Sequence, residues 1–317
     1  MNSSITIIIP LYNNEKHVST CVETLKNQTD QNFEVVFIDD GSPDQTFENL
    51  EHCLKSDIKF SYKIIRQENK GAAKARKKGI ENTSSEYIMI YDCDDVISED
   101  YISEFYRIIG SNKEVDIIIP NAKMQNEKME FVDFKFYSDD VYLSGEDCLL
   151  NSLNGWNVHT WFICKKDIFI KSYIDYEIFN IGNINYHNND EVIGRINFIN
   201  ANKIIRNNAI YYYSYNPISA TKSVNSLKYL MIRNAFIMDE LFSNKLELQL
   251  RVKSELISTI WWILIYMNRN KSYIKNLPEW KREIRDSISK INYMKMIRIL
   301  ELKEKIKLTI LKLIPIF

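Results

Sequence analysis

Acidic residues gather at two places in the first third of the chain: Asp39 with Asp40, and Asp92 with Asp94 and Asp95. Each group follows an apolar run, Phe33-Glu34-Val35-Val36-Phe37-Ile38 and Tyr87-Ile88-Met89-Ile90-Tyr91, of the kind that forms a buried strand. In an open α/β sheet the carboxyl ends of the strands line the ligand crevice. Carboxylates brought together there repel one another unless something compensates them. A divalent cation is the simplest compensation, and oxygen ligands suit Mg2+ or Mn2+, which take one or two carboxylates and complete their shells with water and substrate phosphates. Acidic residues at strand ends also serve as turn formers, but two groups after two buried strands favour a site. A third acidic pair, Asp190-Glu191, precedes the helical stretch Val192-Ile193-Gly194-Arg195-Ile196-Asn197-Phe198. It could supply a general base or simply place negative charge at a helix N-terminus.

The elements that must position these residues follow from apolar periodicity. Ile5-Thr6-Ile7-Ile8-Ile9-Pro10 is a β-branched strand stopped by proline. Val18, Cys21, Val22 and Leu25 have helical spacing within Glu15 to Gln28, and Asn13 or Asn14 could cap that helix. Thr46 to Lys55 reads as helix, Tyr62 to Ile65 as strand, and Gly71 to Asn82 as a helix opened by glycine. Strands alternating with helices on short connections argue for a parallel, doubly wound sheet. Beyond residue 100 the pattern predicts a helix over Asp100 to Ile109, a strand over Val115 to Pro120 and irregular strands over 121–145. It then predicts a strand over Trp156 to Cys164, helices over Asp167 to Tyr173 and Asp190 to Asn200, and a strand over Ala209 to Tyr215. From about 224 onward the reading is helical, interrupted near Asn276-Leu277-Pro278.

Four motifs in order now carry a resemblance: Ile7-Ile8-Ile9-Pro10-Leu11-Tyr12-Asn13, Asp39-Asp40-Gly41-Ser42, Asn69-Lys70-Gly71-Ala72-Ala73-Lys74-Ala75-Arg76, and Asp92-Cys93-Asp94-Asp95. Together they resemble the family 2 glycosyltransferases of bacterial surface-polysaccharide synthesis. The resemblance implies a GT-A fold, a nucleotide-sugar-binding, Rossmann-like mixed sheet with helices on both faces, plus a C-terminal helical region. Its catalytic domain would span 1–223, with a nucleotide half (1–100) and an acceptor half (101–223), followed by helices over 224–317. It implies a nucleotide-sugar donor, most simply a UDP-sugar, and a glycan or polyprenyl-linked acceptor. The nucleotide-sugar contacts would come from Pro10, Tyr12, Asp39, Asp40, Gly71, Arg76, Asp92, Cys93 and Asp94. Within that set the segment after the first strand packs on the base, Asp40 reads uracil, Arg76 lies near the nucleotide and Asp92 meets the ribose. Asp94 and Asp95 would hold the Mn2+ or Mg2+ on the diphosphate. Asp190 matches the base aspartate, with Glu191 the runner-up, and inversion by single displacement is implied.

His159 and Trp161 fall where the family places acceptor-side residues, although a lone histidine beside an aromatic is more often packed. His187 lies in an Asn-rich loop. Tyr211, Tyr212, Tyr213 and Tyr215 read as strand packing with some scope for stacking on sugars. The Ser214 to Ser223 loop is where related enzymes carry a lid, to which Lys222 could contribute.

Bulk properties narrow the remaining choices. Hydrophobic content of 45 % and charged content of 26 % in 317 residues fit a folded soluble protein. Five cysteines without a CxxC pair fit a reduced, cytoplasmic setting, and Met1-Asn2-Ser3-Ser4 lacks a basic leader region. No apolar run approaches the ~20 residues that span a bilayer. Residues 251–317 hold 15 Lys and Arg against 6 Asp and Glu, so a basic tail follows an acidic body. The tail's apolar residues have helical spacing, through Ile310-Leu311-Lys312-Leu313-Ile314-Pro315-Ile316-Phe317. Packing is expected over 224–275, and peripheral contact with the inner face of the plasma membrane, or homo-oligomer contact, over 281–317. A nucleotidyltransferase would want a Gly-rich lysine-bearing loop after the first strand, which Pro10-Leu11-Tyr12-Asn13-Asn14 is not. A nucleic-acid-binding module would not put acidic loops at its strand ends, so no nucleic-acid partner is expected.

Overall fold

The apolar runs do become strands, joined by the helices their spacing implies. The order is β1 (Ile5–Leu11), α1 (Val18–Lys26), β2 (Glu34–Asp39), α2 (Thr46–Leu54), β3 (Ser61–Arg66), α3 (Ala72–Glu81), β4 (Tyr87–Ile90) and β5 (Val96–Ile97). There follow α4 (Tyr101–Ser111), β6 (Ile117–Gln125), β7 (Phe131–Asp133), β8 (Tyr142–Leu143), α5 (Gly145–Ser152), β9 (Ile163–Lys165), α6 (Lys166–Phe179), α7 (Asn189–Asn200) and β10 (Ile204–Tyr213). The chain then turns fully helical: α8 (Met231–Phe242), α9 (Leu246–Asn270), α10 (Leu277–Lys290), α11 (Tyr293–Ile299) and α12 (Leu302–Leu313). The computed structural model describes residues 4–313, apart from 113, 154, 183, 185, 186, 217–223 and 244 and the side chains of 246 and 247. It divides into two units. The first holds Met1–Ser152, Trp156–Ile174 and Ile193–Asn216; the second holds Leu153–Gly155, Asp175–Val192 and Pro217–Phe317.

The first unit is built on a ten-stranded sheet of order β3-β2-β1-β4-β9-β6-β10-β5, with β7 added to β6 and β8 to β10. β3, β2, β1 and β4 run parallel. β9 is antiparallel to both β4 and β6, and β6 and β10 are parallel again. The sheet is therefore mixed, as the GT-A resemblance implies, and not wholly parallel as the strand–helix alternation alone suggests. One face carries Ile5, Ile7, Ile9, Val35, Phe37, Tyr87 and Met89, packed with α1, α2 and α4 residues such as Val22, Leu50 and Phe105. On the other face Val36 and Ile38 meet Ala75 of α3. These side chains are fully buried, each contributing roughly 1.5–3 kcal/mol. Gly79 permits the approach of α3: a Cβ there would stand 2.2 Å from Ile8 Cγ2.

Pro10 lies inside β1, opposite Ile38, not beyond its end. Its neighbours explain the tolerance. Ile8 O still accepts from Tyr91 N on the β4 side, while Leu11 O accepts from Asp40 N on the β2 side. The N–H that Pro10 lacks would point to the β4 side, where the β1–β4 ladder has already stopped at Ile8–Ile90.

Four local expectations change. Asn14 does not cap α1; its Oδ1 accepts from Tyr12 N at 2.8 Å, and the helix begins at Val18. A helix, α5, occupies Gly145–Ser152 directly after the irregular strands. β9 is only Ile163–Lys165, because it can pair only where β4 and β6 flank it. β10 starts at Ile204, five residues before Ala209, drawn into the ladder by Ile117–Ile119 of β6.

In the second unit, Leu256, Ile257, Ile260, Ile263 and Leu264 of α9 form a core with Trp280, Ile284 and Ile288 of α10 and Leu308 and Leu311 of α12. Trp280 is completely buried, and its Nε1 donates to Ser226 O at 2.9 Å. Much of 281–317 therefore packs within its own unit, beyond the 224–275 stretch for which packing is expected. Ile314 to Phe317 lie outside the described residues. Among the described residues no helix is long and apolar enough to cross a membrane.

Candidate active site

The strand order reverses direction at β1: β2 and β3 lie on one side of it and β4 on the other. Such a switch point opens a crevice beyond the carboxyl ends of the strands. The loops after β1, β2 and β4 all leave at that end, and they carry the first, second and fourth motifs. The first two loops are tied together. Asn13 N donates to Ser42 Oγ at 3.3 Å and Asn14 N to Thr46 Oγ1 at 2.7 Å. Asn13 itself has φ 56°, a left-handed conformation that asparagine tolerates better than most residues. Tyr12 is left exposed beside this turn.

Asp39 and Asp40 are buried and internally satisfied. Asp39 Oδ1 accepts from Ser42 N at 3.2 Å. Arg66 Nε stands 2.9 Å from Asp39 Oδ2, an ion pair without the alignment of a hydrogen bond. Asp40 Oδ1 accepts from Gln67 Nε2 at 2.7 Å and Lys70 N at 2.9 Å, and Oδ2 accepts from Gly71 N at 2.7 Å. Gly71 opens α3 at φ 84° and ψ 158°, a conformation that costs glycine least. Asp40 thus holds the third motif onto the second. Three of its roughly four acceptor positions are filled, leaving about one for a ligand.

The Asp92–Asp95 turn closes with Asp95 N donating to Asp92 O at 3.1 Å, and the chain passes straight into β5. β5 pairs with β10 at Val96–Tyr212 and Ile97–Tyr211, which brings the end of β10 onto the turn. The Tyr211 hydroxyl donates to Asp95 Oδ2 at 2.6 Å and Ser214 N to Oδ1 at 2.7 Å. Burial first, then the negative charge of Asp92, pushes the Asp95 carboxyl up to about 8 against the pull of those two hydrogen bonds. Asp94 is half-buried, and its Oδ2 accepts from the Asn216 side-chain amide at 3.0 Å.

Cys93 differs from its acidic neighbours. Its side chain is buried in the core, bonded to Cys21, which with burial holds its thiol far above the ordinary range. Alternation along the turn sends this side chain inward between Asp92 and Asp94, where it braces the turn. His159 is likewise turned inward. It is completely buried, bonded through Nε2 to Pro120 O at 2.9 Å, and burial pushes it down to about 3. Its ring stacks on Trp161 and is met edge-on by Phe134 and Phe136. Trp161 is half-buried and stacks on Tyr211 at 5.1 Å and Tyr213 at 5.0 Å. One aromatic ladder thus joins Trp161 to the tyrosine that holds Asp95. The sequence signal for that ladder is the alternation of Tyr211 and Tyr213.

Asp190 and Glu191 open α7 in the stretch that clusters with the second unit. Asp190 is exposed and Glu191 half-buried, and Asp190 Oδ1 accepts from Glu191 N at 3.0 Å. His187, three residues before Asp190, bonds Asn225 through Nδ1 at 3.5 Å, and its backbone O accepts from Asn234. It is structural within that unit. Lys222 and the rest of 217–223 lie outside the described residues.

Among the described residues no three His, Cys, Asp or Glu side chains form a metal cage by themselves. Mg2+ and Mn2+ require only one or two carboxylates, and Asp94 beside Asp92 meets that requirement; Asp95, turned inward to Tyr211, meets it less well. Arg76 is half-buried near the start of α3. Between the end of β3 and α3 a groove of about 500 Å3 is lined by Arg66, Lys70, Lys74, Lys77 and Lys78, with Glu81 among them. It is a basic surface beside the acidic turns, not a pocket over them.

Comparison with known proteins agrees with this architecture. The model of the family described as Glycosyl transferase family 2 matches residues 6–171. The glycosyltransferase GlyG of Streptococcus pneumoniae serotype 4 is 34 % identical over 154 residues, 48 % of this chain and 48 % of that protein. The teichoic acid poly(glycerol phosphate) polymerase of Staphylococcus epidermidis is 31 % identical over 131 residues, 41 % of this chain and 18 % of that protein. The matched part spans about half or less of these curated relatives. Residues 1–349 of S. aureus TarS, solved alone and with UDP-GlcNAc, superpose with a TM-score of 0.68, covering 98 % of this chain and 87 % of that one at 18 % identity. That likeness is one of fold.

Proposed function

The chain belongs to glycosyl transferase family 2, and from that premise we propose that it moves a sugar from a UDP-sugar to a hydroxyl of a glycan or polyprenyl-linked acceptor. The product would be a cell-surface polysaccharide, assembled at the inner face of the membrane. The observation that carries the reading is the Asp92–Asp95 turn at the sheet's switch point, which gathers three carboxylates where a ligand crevice opens. A divalent cation would offset their mutual repulsion. A UDP-sugar as donor is supported by the fold shared with TarS, which was solved with UDP-GlcNAc.

Asp94, with Asp92, would hold Mn2+ or Mg2+. When bound, that ion neutralises the charge of the leaving diphosphate. The exposed ring of Tyr12 offers a face for the base. The remaining acceptor position of Asp40 takes the N3–H of uracil. Arg76 offers its fork of donors to the nucleotide. Asp190 takes the proton from the acceptor hydroxyl as its oxygen bonds to the anomeric carbon and the bond from that carbon to the diphosphate oxygen breaks. A single displacement of this kind inverts the anomeric centre. Trp161, continuous with the tyrosine ladder, offers a stacking face to the acceptor.

The test is nucleotide release from UDP-, GDP- and dTDP-sugars with Mn2+ and then EDTA. Metal-dependent release from a UDP-sugar is expected. Absence of metal-dependent binding of any of these nucleotides would overturn the reading. Asp190→Asn should lower kcat by about 10²- to 10⁴-fold while leaving UDP binding intact; an unchanged kcat would move the base to Glu191.

A further inference from the structure

Helix α12 has two apolar faces, and among the described residues only one of them is covered. Leu308 and Leu311 are buried in the core of the second unit, with Glu304 beside them. Leu302, Ile306 and Leu313 are 75, 52 and 76 % exposed, and Ile310 is half-buried. At 3.6 residues per turn these four lie within an arc of about 80°, opposite the covered face. A single helix with an outward apolar stripe of this kind is not explained by packing within its own unit.

The charges around the stripe say what it meets. Lys303 borders one edge, and Lys305 and Lys312 border the other. Along 293–313 the acidic residues are Glu301 and Glu304; Glu304 lies on the covered face, 3.5 Å from Lys307 Nζ. Two lysines hold the helix down: Lys312 Nζ donates to Ile288 O and Ile291 O, and Lys307 Nζ to Ser258 Oγ. The neighbouring α11 adds exposed Met294, Lys295 and Arg298, and its Tyr293 hydroxyl meets Thr309 Oγ1 of α12 at 3.0 Å.

We propose that the Leu302–Ile306–Leu313 face of α12, with Lys303, Lys305, Lys295 and Arg298 around it, is a docking surface for an anionic phospholipid membrane. Apolar side chains enter the acyl boundary while the lysines stay level with the headgroup phosphates. A second copy of the chain fits the same face less well. Three or four side chains fall far short of the ~800 Å2 per partner of a stable interface, and a two-fold copy would set lysines against lysines. The inference does not rest on the proposed transfer reaction, which is measured separately below.

The test is co-sedimentation of the full chain with vesicles of phosphatidylcholine, with or without phosphatidylglycerol. Binding to the phosphatidylglycerol vesicles is expected, weakening as salt rises. Leu302→Ser/Ile306→Ser/Leu313→Ser should lower partitioning on the order of tenfold or more. Lys303→Gln/Lys305→Gln should lower it about fivefold per lysine, with circular dichroism unchanged because both side chains lie on the surface. Release of UDP from donor in vesicle-free buffer should match wild type in all variants, which separates this inference from the catalytic one. No binding to phosphatidylglycerol vesicles, or binding that ignores the lysine substitutions, would overturn it. So would a dimer in sedimentation velocity that the serine variant dissolves, which would assign the face to a second copy.

Discussion

The acidic turns after β2 and β4 are made of the same residue type at the same end of the same sheet, yet they are in opposite electrostatic states. Asp39 and Asp40 meet Arg66, Ser42 N, Gln67, Lys70 N and Gly71 N. Their charge is spent on holding two loops together. The turn after β4 places Asp92, Asp94 and Asp95 within a few residues, with Tyr211, Ser214 N and Asn216 as neutral donors. There burial, helped by the charge of Asp92, leaves Asp95 holding its proton up to about 8. The first turn is scaffold already compensated by the protein. The second keeps its carboxylates close together with one of them held protonated by burial, and it is there that we propose the cation.

Substitutions in the two turns should therefore fail differently. The largest effect is expected from Asp94→Ala, about 10³-fold or more lost from metal-dependent UDP release with thermal stability held or raised, since a repelling charge leaves the turn. A stable protein with full activity would remove Asp94 from the cation. Asp40→Asn should act on stability first. Its amide would confront donors that now point at a carboxylate, a loss of about 2 kcal/mol in denaturant unfolding. Unchanged stability would show that the three hydrogen bonds do not hold the loop. Asp95→Asn keeps the shape of the protonated acid and lets the Tyr211 hydroxyl reverse its bond, so its cost in activity should be about tenfold or less. A loss equal to that of Asp94→Ala would put the metal on Asp95 instead.

The smallest effect comes from a site sealed more tightly than either turn. His159 is buried neutral, with its pKa lowered from 6.5 to about 3. Between those values the unfolded chain binds a proton that the folded chain refuses. Stability is therefore full above about 6.5 and falls by up to about 1.4 kcal/mol per pH unit below it. His159→Phe would leave Pro120 O without its donor and lose some stability at neutral pH. Its thermal unfolding curve should lack this acid-side slope, so the gap from wild type narrows as pH falls. Parallel pH curves would show that the histidine takes up its proton while folded.

Local signals explain what was legible in the chain. The β-branched runs, the Asp39-Asp40 and Asp92–Asp95 groups, and the glycine opening α3 are each decided within a few residues, so β1 to β4 and the acidic turns appear where periodicity places them. The strands after residue 100 are less regular because pairing selects them. β9 exists only where β4 and β6 enclose it, and the first residues of β10 are recruited by β6. Alternation alone does not say that Cys93 turns into the core, nor that His159 disappears beneath Phe134 and Phe136.

The sequence by itself determined which carboxylates stand at the ends of which strands, because strand formation and turn chemistry are short-range. Only the tertiary structure decided what each carboxylate meets. Asp40 finds its donors some thirty residues on, at Gln67 to Gly71, and Asp95 finds Tyr211 across 116 residues. Compensation of a buried charge depends on partners within a few ångströms, and distance along the chain carries no information about those.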